Sequence, residues 1–261
     1  MRVENATKVF SGGGADGVVA LEALSLHVRD GEFVSIVGPS GCGKSTLLRI
    51  LGKLESLTSG RITLRHDDER KPIDTILFQD SAVFPWMTVR ANVEYGLRRR
   101  KVRAEDRLRI VDEFLAKVGL MRFADSYPYQ LSGGMKQRVS IARTFVNDPE
   151  ILLMDEPFAA LDEPNRVLQQ EELLSIWASD RKTVLFITHN LEEAIVLSDR
   201  VVVMTARPGR MKAEFDVPFG RPRAVYELKR QPRFGELAAK IWGELHDEVM
   251  RARADEEKAS R

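Results

Sequence analysis

The sequence has little cysteine and no long apolar run. The single cysteine among 261 residues is Cys42, so no internal disulfide can form, and a lone thiol is typical of a reducing compartment. The longest apolar runs, such as residues 151–154 and 184–187, are strand-sized and far below the roughly 20 residues that a spanning helix requires. Residues 1–10 lack the apolar region of a signal peptide, so we do not expect export.

The sequence also lacks an excess of charge of either sign. Lys and Arg together number 40 and Asp and Glu number 39, which leaves a formal net charge of +1. No global field therefore points to nucleic acid or to an acidic partner. Hydrophobic residues make up 43% of the chain, enough for the core of one large domain or of two interleaved subdomains. We expect a globular, cytoplasmic protein that would act on a membrane only from one side.

What the sequence does contain is a series of strands interrupted by one long helical stretch. Short strand patterns occur at residues 18–28, 33–37, 62–66, 75–79, 151–154, 183–187, 201–204 and 211–217. Helical patterns fill residues 89–145 and then alternate with the later strands. Short, continuously apolar strands between helices predict a parallel sheet covered on both faces. We therefore predict an α/β fold with a β-rich start, a helical insertion and a proline-interrupted helical tail.

A glycine-rich loop follows the strand pattern at residues 33–37 and precedes a helical pattern at 45–51. Its sequence satisfies the phosphate-loop motif G-x-x-x-x-G-K-[ST] through Gly38, Pro39, Ser40, Gly41, Cys42, Gly43, Lys44, Ser45 and Thr46. The glycines let backbone N–H groups converge on phosphate oxygens, Lys44 can reach the β- and γ-phosphates, and the Ser45 hydroxyl can ligate Mg²⁺. Thr46 is expected to contact the α-phosphate. The strand before the loop and the helix after it are the context that the motif requires.

Four polar side chains follow apolar strands and are candidates for chemistry at the carboxyl edge of the sheet. Asp155 is the expected Mg²⁺ partner, and Glu156 can orient and deprotonate an attacking water. His189 can hydrogen-bond the γ-phosphate, and the Gln79 amide can ligate Mg²⁺ or orient water. The alternatives are turn-forming acids, a structural histidine and an exposed loop glutamine.

A second stretch, LSGGMKQR at residues 131–138, also has the chemistry of a phosphate site at a helix N-terminus. Together with GPSGCGKST, LFQD, LLMDEP, the segment ending at Asp162, and His189, it occurs in the order found in ATP-binding-cassette (ABC) ATPase subunits, which this chain resembles from residue 3 to 210. The resemblance implies a P-loop ABC ATPase nucleotide-binding domain with a RecA-like core, an antiparallel β subdomain and a helical signature subdomain. We place the ATPase domain at residues 1–220, its helical subdomain at about 89–146, and a helical tail at 221–261.

The resemblance further implies ATP and Mg²⁺ as cofactors and a head-to-tail dimer with a second ATPase subunit. In that dimer Ser132, Gly133 and Gly134 would bind the γ-phosphate of the partner's ATP. Asp162 would communicate across the interface, and Phe10 would stack on adenine. A core position in a β-strand is the alternative for Phe10.

Finer features resemble the importer ATPases of the nitrate, sulfonate and taurine type. That branch implies two transmembrane permease subunits, an external solute-binding protein and a peripheral location on the cytoplasmic face of the inner membrane. Trp86, in FPWM, would face a permease helix or pack on the helical subdomain. Pro164 departs from the branch, although it suits the first turn of a helix. The sequence does not encode the transported solute.

Other functional classes remain open at this point. A soluble ABC-type ATPase acting on nucleic acid or ribosomes usually carries long coiled coils, zinc modules or two cassettes, and the sequence shows none, so no nucleic-acid partner is expected. An exporter ATPase is a further alternative. A basic run at residues 98–103 predicts a solvated helix end or contact with anionic lipid headgroups. We also predict that Lys44 and the helix N-terminus lower the pKa of Cys42, so that alkylation of this thiol blocks ATP binding and MgATP protects it.

Overall fold

Nine strands and eight α-helices make up the part of the chain that the structure, a computed structural model, describes: residues 1–11, 17–80 and 82–259. The strands are β1 (Arg2–Phe10), β2 (Val18–His27), β3 (Phe33–Val37), β4 (Ser59–Thr63), β5 (Asp74–Leu77), β6 (Ile151–Asp155), β7 (Thr183–Ile187), β8 (Arg200–Met204) and β9 (Met211–Asp216). The helices are α1 (Lys44–Leu51), α2 (Val89–Arg99), α3 (Ala104–Lys117), α4 (Gly133–Val146), α5 (Glu163–Asp180), α6 (Leu191–Leu197), α7 (Val225–Lys229) and α8 (Pro232–Ala259). Two short 3-10 helices, Met121–Phe123 and Pro128–Gln130, lie between α3 and α4.

The larger sheet has the strand order β5-β6-β7-β3-β8-β9, in which only β9 runs antiparallel to its neighbour. Strands β3, β7 and β8 are buried along their whole length, which is why their sequences are continuously apolar. Side chains of β3 alternate between two cores: Phe33 and Val37 lie in one, and Val34 and Ile36 lie in the other. The sheet is therefore covered on both faces, as the apolar patterns predict.

A smaller antiparallel sheet, in the order β2-β1-β4, covers one face of the larger sheet together with α1. Leu21 and Leu24 of β2 pack in the same core as Leu47 and Leu48 of α1. This packing brings the smaller sheet to the beginning of α1, next to the glycine-rich loop. The other face of the larger sheet packs against a layer that includes α2, α3 and α4.

The helical layer is defined by its caps as well as by its apolar faces. The Thr88 hydroxyl accepts a hydrogen bond from the Ala91 N–H and begins α2, and Ser132 begins α4 in the same way. Val93 and Val139 point from these two helices into the shared core, which holds the layer against the sheet. The predicted helical insertion is confirmed as helix from α2 to α4.

Strand patterns predict the buried strands well and the half-exposed ones poorly. Residues 33–37 and 183–187 are strands with the predicted bounds. The prediction at 62–66 is wrong in its bounds because β4 spans Ser59–Thr63, and that at 75–79 extends too far because β5 ends at Leu77. No alternating pattern predicts β1, because its pairing is bulged where Asn5 has a φ of 48°.

None of the helices in the described ranges is both long and apolar enough to cross a membrane. The longest, α8, spans 28 residues but carries charged residues along its length. Pro232 stands at its start, so the proline-interrupted tail takes the form of two helices, α7 and α8.

Candidate active site

The candidate site lies where β3, β6 and β7 end at the carboxyl edge of the larger sheet. The loop after β3 leads into α1, Asp155 is the last residue of β6, and Thr188 and His189 follow β7. These strands are neighbours in the order β6-β7-β3, so three segments far apart in sequence meet at one edge.

The glycine-rich loop has a backbone that other residues would adopt only with strain. Gly41 and Gly43 have φ values of 72° and 104°, and a Cβ on Gly43 would lie 2.7 Å from the Ala20 carbonyl oxygen. No side chain caps α1, so the first N–H groups of this helix are available to an anion. The loop thus provides the backbone donors that a phosphate requires.

Lys44 lies inside this loop rather than in solvent. Its Nζ donates hydrogen bonds to the carbonyl oxygens of Gly38 (2.8 Å) and Pro39 (2.9 Å), and the side chain is buried. An ammonium group held on two carbonyls at the centre of a phosphate loop is a fixed positive charge for an incoming polyphosphate.

Ser45 and Asp155 form the pair that the sequence predicts for Mg²⁺. The Ser45 Oγ donates to the Asp155 Oδ1 at 3.1 Å across 110 sequence positions. Burial raises the pKa of Asp155 and the nearby Glu156 adds to this effect, whereas the hydrogen bond from Ser45 opposes it. A hydroxyl and a carboxylate beside a phosphate loop are the hard oxygen ligands that Mg²⁺ prefers, so the residues present fit this ion.

Glu156 and His189 form a second polar pair at the same edge. The His189 Nδ1 lies 2.7 Å from the Glu156 Oε2, and the ring is largely exposed while the carboxylate is mostly covered. Glu156 has a positive φ of 46°, and its N–H donates to the Ile187 carbonyl at 2.9 Å, which fixes its backbone to β7. A carboxylate held in a strained conformation at a sheet edge is a candidate general base.

Glu193, which sequence reasoning missed, supports the segment that carries His189. Its buried carboxylate accepts a hydrogen bond from the Thr188 hydroxyl and another from the Gln170 Nε2 at 3.2 Å. Burial raises the pKa of Glu193 despite these two hydrogen bonds. The sequence signal for it is weak, because an acid in the first turn of a helix usually interacts only with the helix dipole.

A cleft of about 460 Å³ lies between the glycine-rich loop and Glu156, and neither Asp155 nor His189 lines it. It is lined by Phe10, Val18, Ala20, Ser40, Gly41, Cys42, Gly43, Lys44, Ser45, Thr46, Gln79, Glu156 and Arg207. The structure therefore brings Phe10, Gln79 and Glu156 to the glycine-rich loop, as predicted. Gln79 does so from the loop after β5 rather than from the strand itself. Arg207 was not predicted, because nothing in its local sequence indicates that the turn after β8 returns to this loop.

The second glycine-containing stretch lies elsewhere. Ser132 caps α4, where its Oγ accepts from the Met135 N–H at 3.3 Å, and neither Ser132 nor Gly133 is buried. A Cβ on Gly133 or Gly134 would meet nothing within 4 Å. Asp162 precedes α5 and its carboxylate accepts from the Asn165 Nδ2 at 2.6 Å. None of these residues lines the cleft formed by the first stretch.

The prediction of a reactive Cys42 is wrong. Cys42 is only 1% exposed, and burial raises its pKa more than the charge and hydrogen bonds of Lys44 lower it. The Sγ lies 3.8 Å from the Lys44 Nζ, inside the loop rather than at its surface. Cys42 is therefore a small buried side chain that packs inside the loop.

The aromatic loop after Gln79 packs partly on the helical layer. The ring of Phe84 packs against Tyr95 at a centroid distance of 4.8 Å and against the guanidinium of Arg143, so this residue belongs to the helical layer. Trp86 contacts Phe84 at 5.6 Å but is 69% exposed. In the basic run, Arg100 donates to the Asn147 and Arg70 carbonyls, whereas its basic neighbours on either side are exposed.

The fold and the site together define a P-loop nucleotide-hydrolysing protein, because a glycine-rich loop before a helix lies beside strand-end carboxylates in a sheet covered on both faces. Comparisons with known proteins narrow this class. The family described as ABC transporter matches residues 21–159. An uncharacterised ABC transporter ATP-binding protein of Methanocaldococcus jannaschii, MJ0412, is 48% identical over 97% of this chain and 93% of its own length.

Two further relatives cover most of the chain. The taurine import ATP-binding protein TauB of Jannaschia sp. is 40% identical over 96% of this chain and 96% of its own. Among solved structures, the dimeric post-hydrolysis state of the ATP-binding cassette MJ0796 bound to ADP and Pi matches with a TM-score of 0.71 at 34% identity. That alignment covers 84% of this chain and 99% of the other.

The chain belongs to the ABC transporter family, and it is an ABC-type ATPase whose ATP hydrolysis is coupled to transmembrane solute transport. The predicted fold class is confirmed: the larger sheet is the RecA-like core, the smaller sheet is the antiparallel β subdomain, and α2 to α4 form the helical layer. The resemblance to the taurine-type branch is also confirmed by relatives at about 40% identity over most of the chain.

Proposed function

We propose that this protein is the ATPase subunit of an importer for a small anionic or organic solute of the nitrate, sulfonate or taurine type. The observation that carries this proposal is the 40% identity with a taurine import ATP-binding protein over 96% of each chain. In the proposed assembly the protein acts at the cytoplasmic face of the membrane with two permease subunits, and an external binding protein delivers the solute.

In the proposed site, Lys44 and the N–H groups at the start of α1 bind the β- and γ-phosphates of ATP. Ser45 ligates Mg²⁺, and Asp155, which accepts a hydrogen bond from Ser45 at 3.1 Å, holds the ion through water. When bound, Mg²⁺ supplies charge neutralisation at the phosphates. Thr46 contacts the α-phosphate, and Phe10, which lines the same cleft, stacks on the adenine.

Glu156 is the proposed general base. Its carboxylate orients the attacking water and accepts a proton from it, and His189, 2.7 Å away, holds the carboxylate and hydrogen-bonds the γ-phosphate. Gln79, which lines the same cleft, ligates Mg²⁺ or orients the water through its neutral amide. These roles follow from positions at one edge of the larger sheet.

The exposed start of α4, Ser132 and Gly133, supports a dimer in which each ATP lies between two chains. Ser132 and the exposed N-terminus of α4 lie outside their own chain's cleft, and the cassette of similar fold was solved as a dimer. On this proposal each complete site combines the glycine-rich loop of one subunit with Ser132, Gly133 and Gly134 of the other. Asp162, also outside the cleft, lies in the segment that communicates between them.

Ser132→Arg tests the shared site. ATP binding to the monomer should stay within about twofold, whereas ATP-dependent dimerisation and hydrolysis should be lost, because a long cation replaces a phosphate donor. Equilibrium binding, light scattering and phosphate release measure the three quantities. Ser175→Arg is the matched control, since Ser175 is an exposed serine in the middle of α5. If Ser132→Arg abolished binding to the monomer, the second stretch would belong to the same-chain site.

The exposure of Trp86 supports the proposal of permease partners. Its indole is 69% exposed beside the packed ring of Phe84, and an exposed aromatic cluster of this kind often marks an interface. Trp86→Ala should reduce co-purification with co-expressed permease subunits while leaving phosphate release by the isolated chain unchanged. Tyr226→Ala is the control, since Tyr226 is 68% exposed on α7. Equal co-purification of both variants would contradict a permease interface at this loop.

The solute class is tested with the assembled transporter in liposomes. The binding protein is screened by thermal shift against taurine, nitrate and alkanesulfonates, and phosphate release is then measured with and without the stabilising solute. We expect the loaded binding protein to stimulate hydrolysis and uptake. Hydrolysis that responds to RNA or ribosomes and not to any loaded binding protein would favour the soluble-ATPase alternative.

A further inference from the structure

The turn between β8 and β9, residues 205–210, packs directly on the glycine-rich loop. The Gly209 N–H donates to the Ala20 carbonyl at 3.0 Å, and the Gly209 carbonyl accepts from the Glu22 N–H at 3.1 Å. A Cβ on Gly209 would lie 2.1 Å from the Cys42 carbonyl oxygen, a distance that no side chain can occupy. The backbone of the turn therefore touches both β2 and the phosphate loop.

The turn is also closed on itself. The Thr205 N–H donates to the Arg210 carbonyl at 3.0 Å, the Thr205 Oγ1 donates to the Pro208 carbonyl at 2.9 Å, and the same Oγ1 accepts from the Arg210 N–H at 3.0 Å. Arg210 pairs with Glu22 at 2.6 Å. The conformation of the turn is thus set by its own hydrogen bonds as well as by its neighbours.

Helix α8 also contacts the turn. Glu248, which is 1% exposed, accepts a hydrogen bond from the Ala206 N–H at 2.9 Å and pairs with Lys212 at 3.0 Å and Arg251 at 3.1 Å. A buried carboxylate is stable only with such partners. Its bond to Ala206 fixes the backbone immediately before Arg207.

The contacts of Gly209 and Ala206 together position Arg207 at the cleft. Arg207 lines the cleft and also a second cavity beside α8, and within the described residues its guanidinium forms no hydrogen bond or ion pair. Leu21 of β2 and Gly209 form an isolated parallel β-bridge, so the residues before Gly209 lie beside the residues before Leu21. That direction leads to Val18, the first residue of β2, which pairs with Phe10. Arg207 therefore lies at the Phe10 end of the cleft.

We propose that Arg207 binds the base of the nucleotide and that Glu248 is its positioning residue. The planar guanidinium stacks on the purine and forms a second wall of the base pocket, beside the ring of Phe10. The phosphates are already matched by Lys44 and the first turn of α1. The other cation near Phe10 is Lys8, whose Nζ lies 4.7 Å from the Phe10 ring centroid, but it pairs with Glu55 at 3.0 Å and does not line the cleft. The proposal deepens the nucleotide site of the proposed function and rests on it.

The test measures binding of two probes to the full chain by calorimetry without Mg²⁺, namely ATP and inorganic tripolyphosphate, which has no base. Arg207→Gln should weaken ATP binding about 3- to 30-fold, the range expected of a cation on an aromatic face, and leave tripolyphosphate binding unchanged. Arg207→Lys should retain only part of the ATP affinity, because it keeps the charge and loses the plane. Arg210→Gln, the matched control in the same turn, should change neither.

Two results would overturn the assignment. Equal weakening of ATP and tripolyphosphate would place Arg207 at the phosphates, and unchanged ATP binding would exclude it from the site. Lys44→Ala distinguishes failure of the Arg207 proposal from failure of the proposed nucleotide site. If the nucleotide site is correct, this variant should bind both ATP and tripolyphosphate more weakly, whatever the role of Arg207. Thermal unfolding of each variant shows that the chain is folded.

Glu248→Gln tests the positioning role. It should weaken ATP binding in the native chain, but not further in the Arg207→Gln background, because Glu248 acts through Arg207. A purely structural role would lower the unfolding temperature and weaken ATP binding by the same factor in both backgrounds, and that result would refute the positioning role.

Discussion

Replacing Glu156 by glutamine should separate ATP binding from ATP hydrolysis. The amide keeps the size of the side chain and the backbone hydrogen bond from the Glu156 N–H to the Ile187 carbonyl, but it cannot accept a proton from water. General-base catalysis contributes roughly 10²- to 10⁴-fold, so we expect kcat to fall by this factor, or by about 3–5 kcal/mol in the barrier. ATP affinity should change by less than about threefold, because Lys44 and the loop amides remain.

The structure adds a second consequence of Glu156→Gln. The charge of Glu156 is one of the causes that raise the pKa of Asp155. Its removal should lower the pKa of Asp155, so that this carboxylate is ionised, and Mg²⁺ is retained, at lower pH than in the native chain. Calorimetric titration of MgATP between pH 5 and pH 8 measures this change in pH dependence. At the acidic end of the range, the variant should bind MgATP more tightly than the native chain does.

The assay is phosphate release by the purified full chain at saturating MgATP, with binding measured separately. Glu113→Gln is the matched control, because Glu113 is an exposed acid on α3 that pairs with Arg109 at 2.9 Å. The control should hydrolyse ATP at the native rate. A Glu156→Gln variant that turned over within tenfold of the native chain would refute the assignment of the general base.

Three further predictions follow from buried groups around the site. Gly43→Ala should destabilise the fold by about 1–3 kcal/mol in urea and abolish ATP binding, since its Cβ would lie 2.7 Å from the Ala20 carbonyl at a φ of 104°; a stable variant that bound ATP would contradict the loop geometry. Cys42 should resist maleimide at pH 7 in the folded chain with or without MgATP, and react only in urea, because burial raises its pKa; rapid labelling would contradict this. Burial raises the pKa of Glu193 above its ordinary 4.5, so its ionisation destabilises the folded state as pH rises from 4.5 through the higher folded pKa. Glu193→Gln should therefore gain about 1 kcal/mol in urea unfolding at pH 8 and less at pH 5, with the Gln170 Oε1 as a new partner; a gain independent of pH would exclude titration as its cause.

The sequence predicts parts of the site that depend on neighbours along the chain. The phosphate loop follows β3 and precedes α1 because glycine spacing, an apolar strand and a helical pattern are all local signals. Asp155 and His189 are predicted at the sheet edge because each follows a continuously apolar strand. Such strands are buried on both faces, which makes their ends the easiest positions to locate.

Other parts could not be predicted, for physical reasons that particular residues show. Strand β1 could not be predicted from alternating apolar residues, because its bulged pairing breaks the period of two on which strand prediction depends. From the sequence, the neighbouring Lys44 predicts a lowered pKa for Cys42. In the folded chain the burial of the thiol has the larger effect and raises this pKa. Arg207 belongs to a turn that contacts the phosphate loop through backbone atoms. The only sequence signal of that contact is Gly209, where a Cβ would not fit.

By itself the sequence determined which chemical groups this ATPase has and which local elements carry them, because glycine spacing, caps and apolar periods act over a few residues. Only the tertiary structure decided which of these groups share a cleft. The spatial order β5-β6-β7-β3-β8-β9 differs from the chain order, so Ser45 meets Asp155 and Arg207 returns to the Phe10 end. The same packing leaves Ser132 outside the cleft, since α4 is held to the other face of the sheet by its apolar side.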